Sequence, residues 1–450
     1  MEPQEGKTAG SSSPGTVSSK LQRVAKLARE HPDMVLQTLA HHIDVEFLVE
    51  AYRRTRKDGA PGVDGRTADE YELQLRENLA ALLARFKSGL YRAPPVRRVH
   101  IPKGDGRTRP IGIPTFEDKI LQRAVAMILE AVYEQDFLPC SYGFRPGRSA
   151  HHALDELRQG LWDRSGGWVL EVDIKSFFDT LDHRHLRAIL DQRVRDRILR
   201  RAIHKWLHAG VQENGALSYP EAGTPQGGVI SPILANIYLH YVLDTWFESD
   251  VKPRMKGRTF MVRYADDFVI VFDREDDARR VVEVLPKRFG KYGLTLHPQK
   301  TRLVPFERPR LGSTDGSRVG SFDFLGFTHH WARSRKDYWV VKRRTAKDRF
   351  TRAMKRINEW CRTNRHRPIA EQQQSLARKI RGHCQYYGLT GNSKRIGQFR
   401  DGVLCAWRKW LGRRSGRADK TWAKFKRLLE RYPLPRSIAV HSALRRAASP

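Results

Sequence analysis

The chain has 450 residues, 40% of them hydrophobic, enough for more than one packed core, and a formal net charge of +33 that repels itself unless polyanions or salt screen it. No stretch approaches the roughly 18 consecutive apolar residues of a membrane span, and no basic segment leads into an apolar signal core. The four cysteines, Cys140, Cys361, Cys384 and Cys405, are too scattered for a zinc module or disulfide framework, so an intracellular nucleic-acid-binding protein is expected, with inert, partly buried thiols.

Residues 1–18, rich in Gly, Ser and Thr, read as a disordered leader. From 19 to 54, apolar residues at helical spacing predict two or three amphipathic helices, and the pattern resumes at 70–83 after the turn-rich stretch 58–65. Val96 to Pro114 alternates apolar and basic positions around Gly104-Asp105-Gly106, which predicts a β-hairpin. Lys103 and Arg109 bracket its turn and can meet one polyanion, the lysine as a point charge and the arginine as a donor fork. A helix follows over 119–137, then a loop over 141–154 whose Arg145 and Arg148 are candidates to grip a phosphate.

Trp168 to Asp173, WVLEVD, is a short strand with an acid at its end. After Asp182 a helical stretch carries Leu186, Ile189, Leu190, Val194 and Ile198 on one side. Residues 221–241 place a glycine-rich turn before an apolar helix; Gly223, Gly227 and Gly228 permit close backbone approach to a base or sugar, and Gln226 offers an amide there. Thr259 to Phe272, TFMVRYADDFVIVF, is two β-rich runs about an acidic pair, a hairpin with Asp266 and Asp267 at its tight connection.

Two like charges in so apolar a setting require compensation, and a divalent oxygen-seeking cation such as Mg²⁺ supplies it. If the strand ending at Asp173 packs beside this hairpin, three carboxylates converge, as a two-metal phosphoryl-transfer site requires. A helix over 278–292 is predicted next, then strands near Leu294 and over 301–306, a Gly/Ser/Arg-rich loop over 309–320 and the apolar segment FDFLGF at 322–327. Short strands mixed with helices imply an α+β core.

From residue 331 onward there are 33 Lys/Arg against 7 Asp/Glu, whereas the first 330 residues hold 50 against 43. Most of the excess therefore lies in the last 120 residues, as expected of a nucleic-acid-binding appendage. Helices are predicted at 346–361, 369–387, 397–411 and 421–432, the first ringed by Lys347, Arg349, Arg352, Lys355 and Arg356. Tyr386, Tyr387, Trp407, Trp410 and Trp422 lie among the basic residues and are assigned mainly to core packing.

Nine stretches carry a family resemblance: PGVDG (61–65), GRTRPIGIPT (106–115), SYGFRPGRSAHHAL (141–154), DIKSFFD (173–179), GTPQGGVISPILANIYL (223–239), RYADD (263–267), GLTLHPQKT (293–301), FLGF (324–327) and GHCQYYG (382–388). In this order they resemble the reverse transcriptase/maturases encoded by bacterial group II introns, in the type that lacks an endonuclease. The resemblance implies a right-hand polymerase: a helical extension and start of the fingers over 19–90, fingers over 91–165, and an antiparallel-sheet palm over 166–340. An α-helical thumb and maturase region over 341–412 and a basic DNA-binding segment over 413–450 complete it. It further implies an RNA-directed DNA polymerase using two Mg²⁺ ions, held by Asp173, Asp266, Asp267 and the backbone carbonyl of Ile174.

By the same resemblance Lys103, Arg109, Ile174, Phe178 and Gln226 surround the incoming nucleotide, Phe178 crowding the sugar 2′-position. Phe324, Leu325, Gly326 and Phe327 position the primer. The implied partners are group II intron RNA or another structured RNA template, a DNA primer and target DNA, and deoxynucleoside triphosphates; a homodimer stays open. Maturase binding would stabilise the intron for splicing, and target-primed copying would move it, in the bacterial cytoplasm or at the nucleoid. Two other readings stand beside this one: a domesticated relative in host repair or phage defence, and a catalytically inactive RNA chaperone.

Overall fold

In a computed structural model, residues 16–102, 108–213, 215–219, 223, 227–309, 320–334, 336–414 and 421–441 are described. The strands are β1 (Val96–Pro102), β2 (Thr108–Ile113), β3 (Trp168–Asp173), β4 (Val211–Glu213), β5 (Ala216–Ser218), β6 (Thr259–Tyr264), β7 (Asp267–Phe272), β8 (Arg302–Pro305), β9 (Phe322–Phe324), β10 (Phe327–Arg333) and β11 (Trp339–Thr345). Among the described residues they form a central sheet of order β6-β7-β3-β8, a sheet β2-β1-β4-β5 and a sheet β11-β10-β9. Every pairing is antiparallel except β1 with β4.

Strand alternation decides what each face of the central sheet meets. Leu170, Val172, Met261, Phe268, Ile270 and Phe272 point to one side, into the core shared with helices Phe116–Tyr133, Ser231–Leu239 and Glu275–Lys291. Val169, Val262, Val269, Val271 and Val304 point to the other, against helix Ala150–Asp163 and the sheet β11-β10-β9. Each such side chain, fully buried, contributes roughly 1.5–3 kcal/mol, so the sheet is a rigid platform enclosed on both faces. The basic tail forms helices Lys347–Thr363, Ile369–Tyr387, Ser393–Leu411 and Trp422–Arg431 around Leu376, Ile380, Phe399, Val403, Trp407 and Phe425.

Several elements depart from expectation. The helix predicted after Asp182 is two, His183–Leu190 and Arg197–Leu207. One Asp196 oxygen caps the second helix at Ile198 and Leu199, and the other accepts the amides of Leu39 and Ala40 at 2.6 and 2.8 Å, while Val194 bridges to Leu36. The pattern over 70–83 divides into Ala68–Glu72 and Leu75–Ser88. The predicted strand near Leu294 is reduced to a single bridge between Ile174 and Leu296. The cysteines are free, and Cys405 is exposed rather than buried. The predicted leader and the loop over 309–320 lie almost wholly outside the described residues.

Burial of His329 on β10, stacked on Phe322 at 4.7 Å, pushes its imidazole down to about 3, with the Arg343 guanidinium adding to the effect. The unfolded chain then binds the proton more readily below pH 6.5, so stability falls as the solution is acidified. Between pH 6.5 and pH 5 this group alone is expected to remove about 2 kcal/mol. Thermal melts at pH 7 and pH 5 should show a smaller acid-induced loss in His329→Phe than in the wild type; an equal loss would assign the acid sensitivity elsewhere.

Candidate active site

The three predicted acids gather at one end of the central sheet. Asp173 closes β3 and is the register partner of Asp267, the first residue of β7, which is also opposite Tyr264 on β6. The hairpin connection is therefore Ala265-Asp266, and Asp267 belongs to the strand rather than to the turn. Alternation puts Glu171, Asp173 and Asp267 on the same face.

Crowding among these carboxylates has electrostatic consequences. Burial raises Asp266 above the ordinary aspartate range and Asp173 adds to the rise, while Arg109 and Arg263 oppose it. Asp267 is solvent-accessible, yet the protein around it desolvates the carboxylate, and Asp266, Asp173 and Glu171 repel its charge. Together they push it up to about 7, against the pull of Arg349.

The donors are hard oxygens without imidazole or thiolate, the chemistry that suits Mg²⁺. Among the described residues no three acidic, histidine or cysteine side chains form a ready metal-ligand group. That arrangement is compatible with an ion whose shell is completed by substrate phosphates and water. A cation already stands at the site: the Lys300 ammonium donates to Asp173 at 2.8 Å. Ile174 is buried beside it, and the bridge to the 295–297 segment uses the Lys175 amide and the Asp173 carbonyl, not the Ile174 carbonyl.

Of the predicted nucleotide contacts, Arg109 lies exposed on β2 and is near enough to Asp266 to lower its pKa. Phe178 is half-buried, its ring 5.3 Å edge-on from Phe177. Gly223, at φ +90, packs its backbone on residues 178 and 179, where a Cβ would lie 2.7 Å from the Phe178 carbonyl. Lys103 and Gln226 lie outside the described residues.

Phe324, Leu325, Gly326 and Phe327 form the β9–β10 hairpin, whose two central residues have φ of 50 and 78, the left-handed pair of a tight turn. Glu171 ties this hairpin to the central sheet, accepting the Asp323 amide at 2.6 Å and pairing with Arg302. The helical bundle holds it from the other side: the Tyr386 hydroxyl donates to the Leu325 carbonyl at 2.9 Å and the Ala346 amide to the Gly326 carbonyl at 3.0 Å.

Beside it an open groove of about 670 Å³ is lined by Arg302, Asp323, Lys347, Arg352 and Lys355, among others, so three of the five predicted helix cations face one cleft. Trp407 is fully buried, as expected of core, whereas Trp422 is 46% exposed beneath the Arg408 guanidinium.

Arg145 is a correction. Its guanidinium is buried on Glu134 and on the carbonyls of Leu138 and Ser141, which take four of its five donors, and at 5% exposure it is not placed to grip a phosphate. Arg148 stays exposed, over the Tyr142 ring. Sequence reasoning passed over Lys300 and Glu171, and it placed Arg349 and Tyr386 only as a helix cation and a core aromatic, not beside the acids and the β9–β10 hairpin. For Glu171 the signal was present, because it stands two residues before Asp173 and so shares its face.

Comparison with known proteins finds relatives of this chain. A family model described as reverse transcriptase (RNA-dependent DNA polymerase) matches residues 101–329, just over half of the chain. The chain is 35% identical over 368 residues to protein YkfC of Escherichia coli, covering 72% of this chain and 91% of that protein. It is 38% identical over 226 residues to the group II intron-encoded protein LtrA of Lactococcus lactis, 49% of this chain but only 37% of LtrA. Similarity to a 91 kDa protein in the cob intron of Schizosaccharomyces pombe is 32% over 247 residues, 54% of this chain and 30% of that one. Among the described residues no helix is long and apolar enough to cross a membrane.

Proposed function

Because this chain belongs to the reverse transcriptase (RNA-dependent DNA polymerase) family and is an RNA-directed DNA polymerase, we propose that it extends a DNA primer on a structured RNA with two Mg²⁺ ions at Asp173, Asp266, Asp267 and the Ile174 carbonyl. The single observation that carries this reading is the register that pairs Asp173 with Asp267 and puts Asp266 in the adjoining turn. In this reading residues 91–165 are the fingers, 166–340 the palm and 341–412 the thumb. Bound Mg²⁺ would lower the pKa of the primer 3′-hydroxyl and offset charge on the transferring phosphate and the leaving pyrophosphate.

The protein's own part is positioning. Arg109, with Lys103, takes the triphosphate oxygens; Phe178 lies under the sugar; Gln226 sits beside the nucleotide; the Phe324–Phe327 hairpin holds the primer end. Lys300 orients Asp173, supported by their 2.8 Å contact. The groove of Arg302, Lys347, Arg352 and Lys355 receives the phosphates of the duplex. Similarity to a group II intron-encoded protein supports an intron RNA as the template and maturase binding as a second role. Splicing chemistry stays with the RNA, and copying into a DNA target serves intron mobility.

RNA-templated primer extension with Asp173 or Asp266 replaced tests the site. Sugar selection is tested separately. Phe178→Ala is expected to narrow the preference for deoxynucleotides over ribonucleotides by roughly 10- to 200-fold in kcat/KM, the range that a purely steric pocket can discriminate. An unchanged ratio would remove Phe178 from sugar recognition.

A further inference from the structure

Directly behind the acidic turn lies an ion pair that nucleotide addition does not touch. Arg263 on β6 has the parity of Met261, so it points away from the acid-bearing face and into the helical core. Its side chain and that of Asp244 are both 0% exposed.

All five guanidinium donors are used. Nε and one Nη2 hydrogen go to Asp244, at 2.7 and 2.5 Å, and the second Nη2 hydrogen to Ser141 Oγ at 2.8 Å. Nη1 donates to Asn236 Oδ1 at 3.1 Å and to the backbone carbonyl of Ala265 at 3.0 Å. Ala265 is the residue before Asp266, held at φ 57, a left-handed conformation that a residue with a Cβ rarely adopts.

The partners are themselves fixed. Asp244 reaches the pair from a π-helical winding, His240–Asp244, that continues helix Ser231–Leu239. Asn236 donates to the Gly143 carbonyl at 2.7 Å, and Gly143 packs so closely on the turn that a Cβ would lie 2.3 Å from the Ala265 nitrogen. The 140–142 segment runs beside β6, accepting the Arg263 amide at Cys140 and donating the Tyr142 amide to the Arg263 carbonyl, each at 2.8 Å. Three distant parts of the chain thus converge on one peptide unit. Stability alone does not call for charge here, since buried ion pairs are often replaceable by apolar side chains without loss. What an apolar pair cannot supply is the hydrogen bond to the Ala265 carbonyl.

We propose that Arg263, oriented by Asp244, is a positioning residue for polymerisation: by holding the Ala265 carbonyl it sets the direction in which Asp266 projects toward the nucleotide. The inference rests on the reading of Asp266 as part of the polymerase centre. The Arg263 guanidinium also favours the ionised form of Asp266, in keeping with this geometry.

The test uses the full chain, an RNA template with an annealed DNA primer, and a Mg²⁺ titration. In the double variant Arg263→Met/Asp244→Leu the pair is replaced by apolar side chains of similar reach. The extension rate at saturation should fall at least about 30-fold, as misplacement of a reacting group by a fraction of an ångström does. Nucleotide KM and primer–template affinity should stay within about threefold, and the Mg²⁺ concentration for half-maximal rate should rise. Arg263→Lys keeps the charge opposite Asp244 but lacks the fork that reaches Ala265 as well; its melting temperature should fall because buried acceptors lose their donors, and at a temperature where it is fully folded it should lose rate about tenfold.

A rate within twofold of wild type in Arg263→Lys, or in the folded double variant, overturns the proposal; if the double variant does not fold, Arg263→Lys decides alone. Asp266→Asn run alongside separates the two levels, because wild-type extension in that protein would instead remove the premise about the site.

Discussion

Asp266→Asn is expected to abolish RNA-templated primer extension, lowering the rate by at least about 10³-fold, while RNA affinity stays within about threefold. The substitution keeps the side chain's shape and removes only its charge, so a loss of rate reports on electrostatics at the reacting phosphate rather than on packing. Asp173→Asn should behave likewise, because Asp173 and Asp267 are register partners and Asp266 adjoins them. The structure also predicts the accompanying change in stability. Like charges placed opposite one another on neighbouring strands repel, and burial and Asp173 already hold Asp266 above its ordinary range. Removing one charge should therefore leave the melting temperature unchanged or slightly higher, the trade of stability for activity expected of a polymerase centre. Extension at wild-type rate by either variant would exclude these carboxylates from the reaction. A collapse of the melting temperature would show instead that they hold the sheet together.

RNA binding should be as sensitive to salt as catalysis is to the acids. If about 6 to 10 phosphates are neutralised, raising monovalent salt from about 50 to about 200 mM should weaken binding by roughly 10³ to 10⁵. The expectation has a location: the last 120 residues carry 33 Lys/Arg against 7 Asp/Glu, and Arg302, Lys347, Arg352 and Lys355 line one open groove beside the β9–β10 hairpin. Arg352→Gln and Lys355→Gln should each reduce the slope of log affinity against log salt by about one. A shallow slope in the wild type would contradict the role given to this surface, and unchanged slopes in the variants would move the phosphate contacts elsewhere on the chain. Shape contacts to folded RNA soften the slope without removing it.

Much of the site was legible because local rules determine it. The strand Trp168–Asp173 has the bounds that its alternation predicts, and the hairpin over 259–272 follows from two β-rich runs about a short connection. Helix Ile369–Tyr387 likewise starts and stops where its periodicity does. Where expectation failed, a distant partner had intervened. The helix after Asp182 is interrupted where Asp196 turns to cap residues on both its own helix and the 39–40 segment. β11 escaped notice because Lys342 and Arg344 gave a basic appearance to a strand whose Trp339, Val341, Arg343 and Thr345 are buried.

Composition and period-2 alternation were enough to determine a basic α+β chain with acids at the end of a strand and in a hairpin, since each depends on neighbours within a few residues, while the polymerase reading came from the family resemblance of nine ordered stretches. Only the tertiary structure decided that Asp173 meets Asp267 in register, that Arg145 is buried on Glu134 rather than free for a phosphate, and that Arg263, which reads as an ordinary strand cation, is buried on Asp244 behind the turn. The physical reason is the same in each case: a charge's role is set by which partner lies within a few ångströms of it, and those partners are brought there by strand pairing and helix packing across roughly ten to a hundred residues of chain.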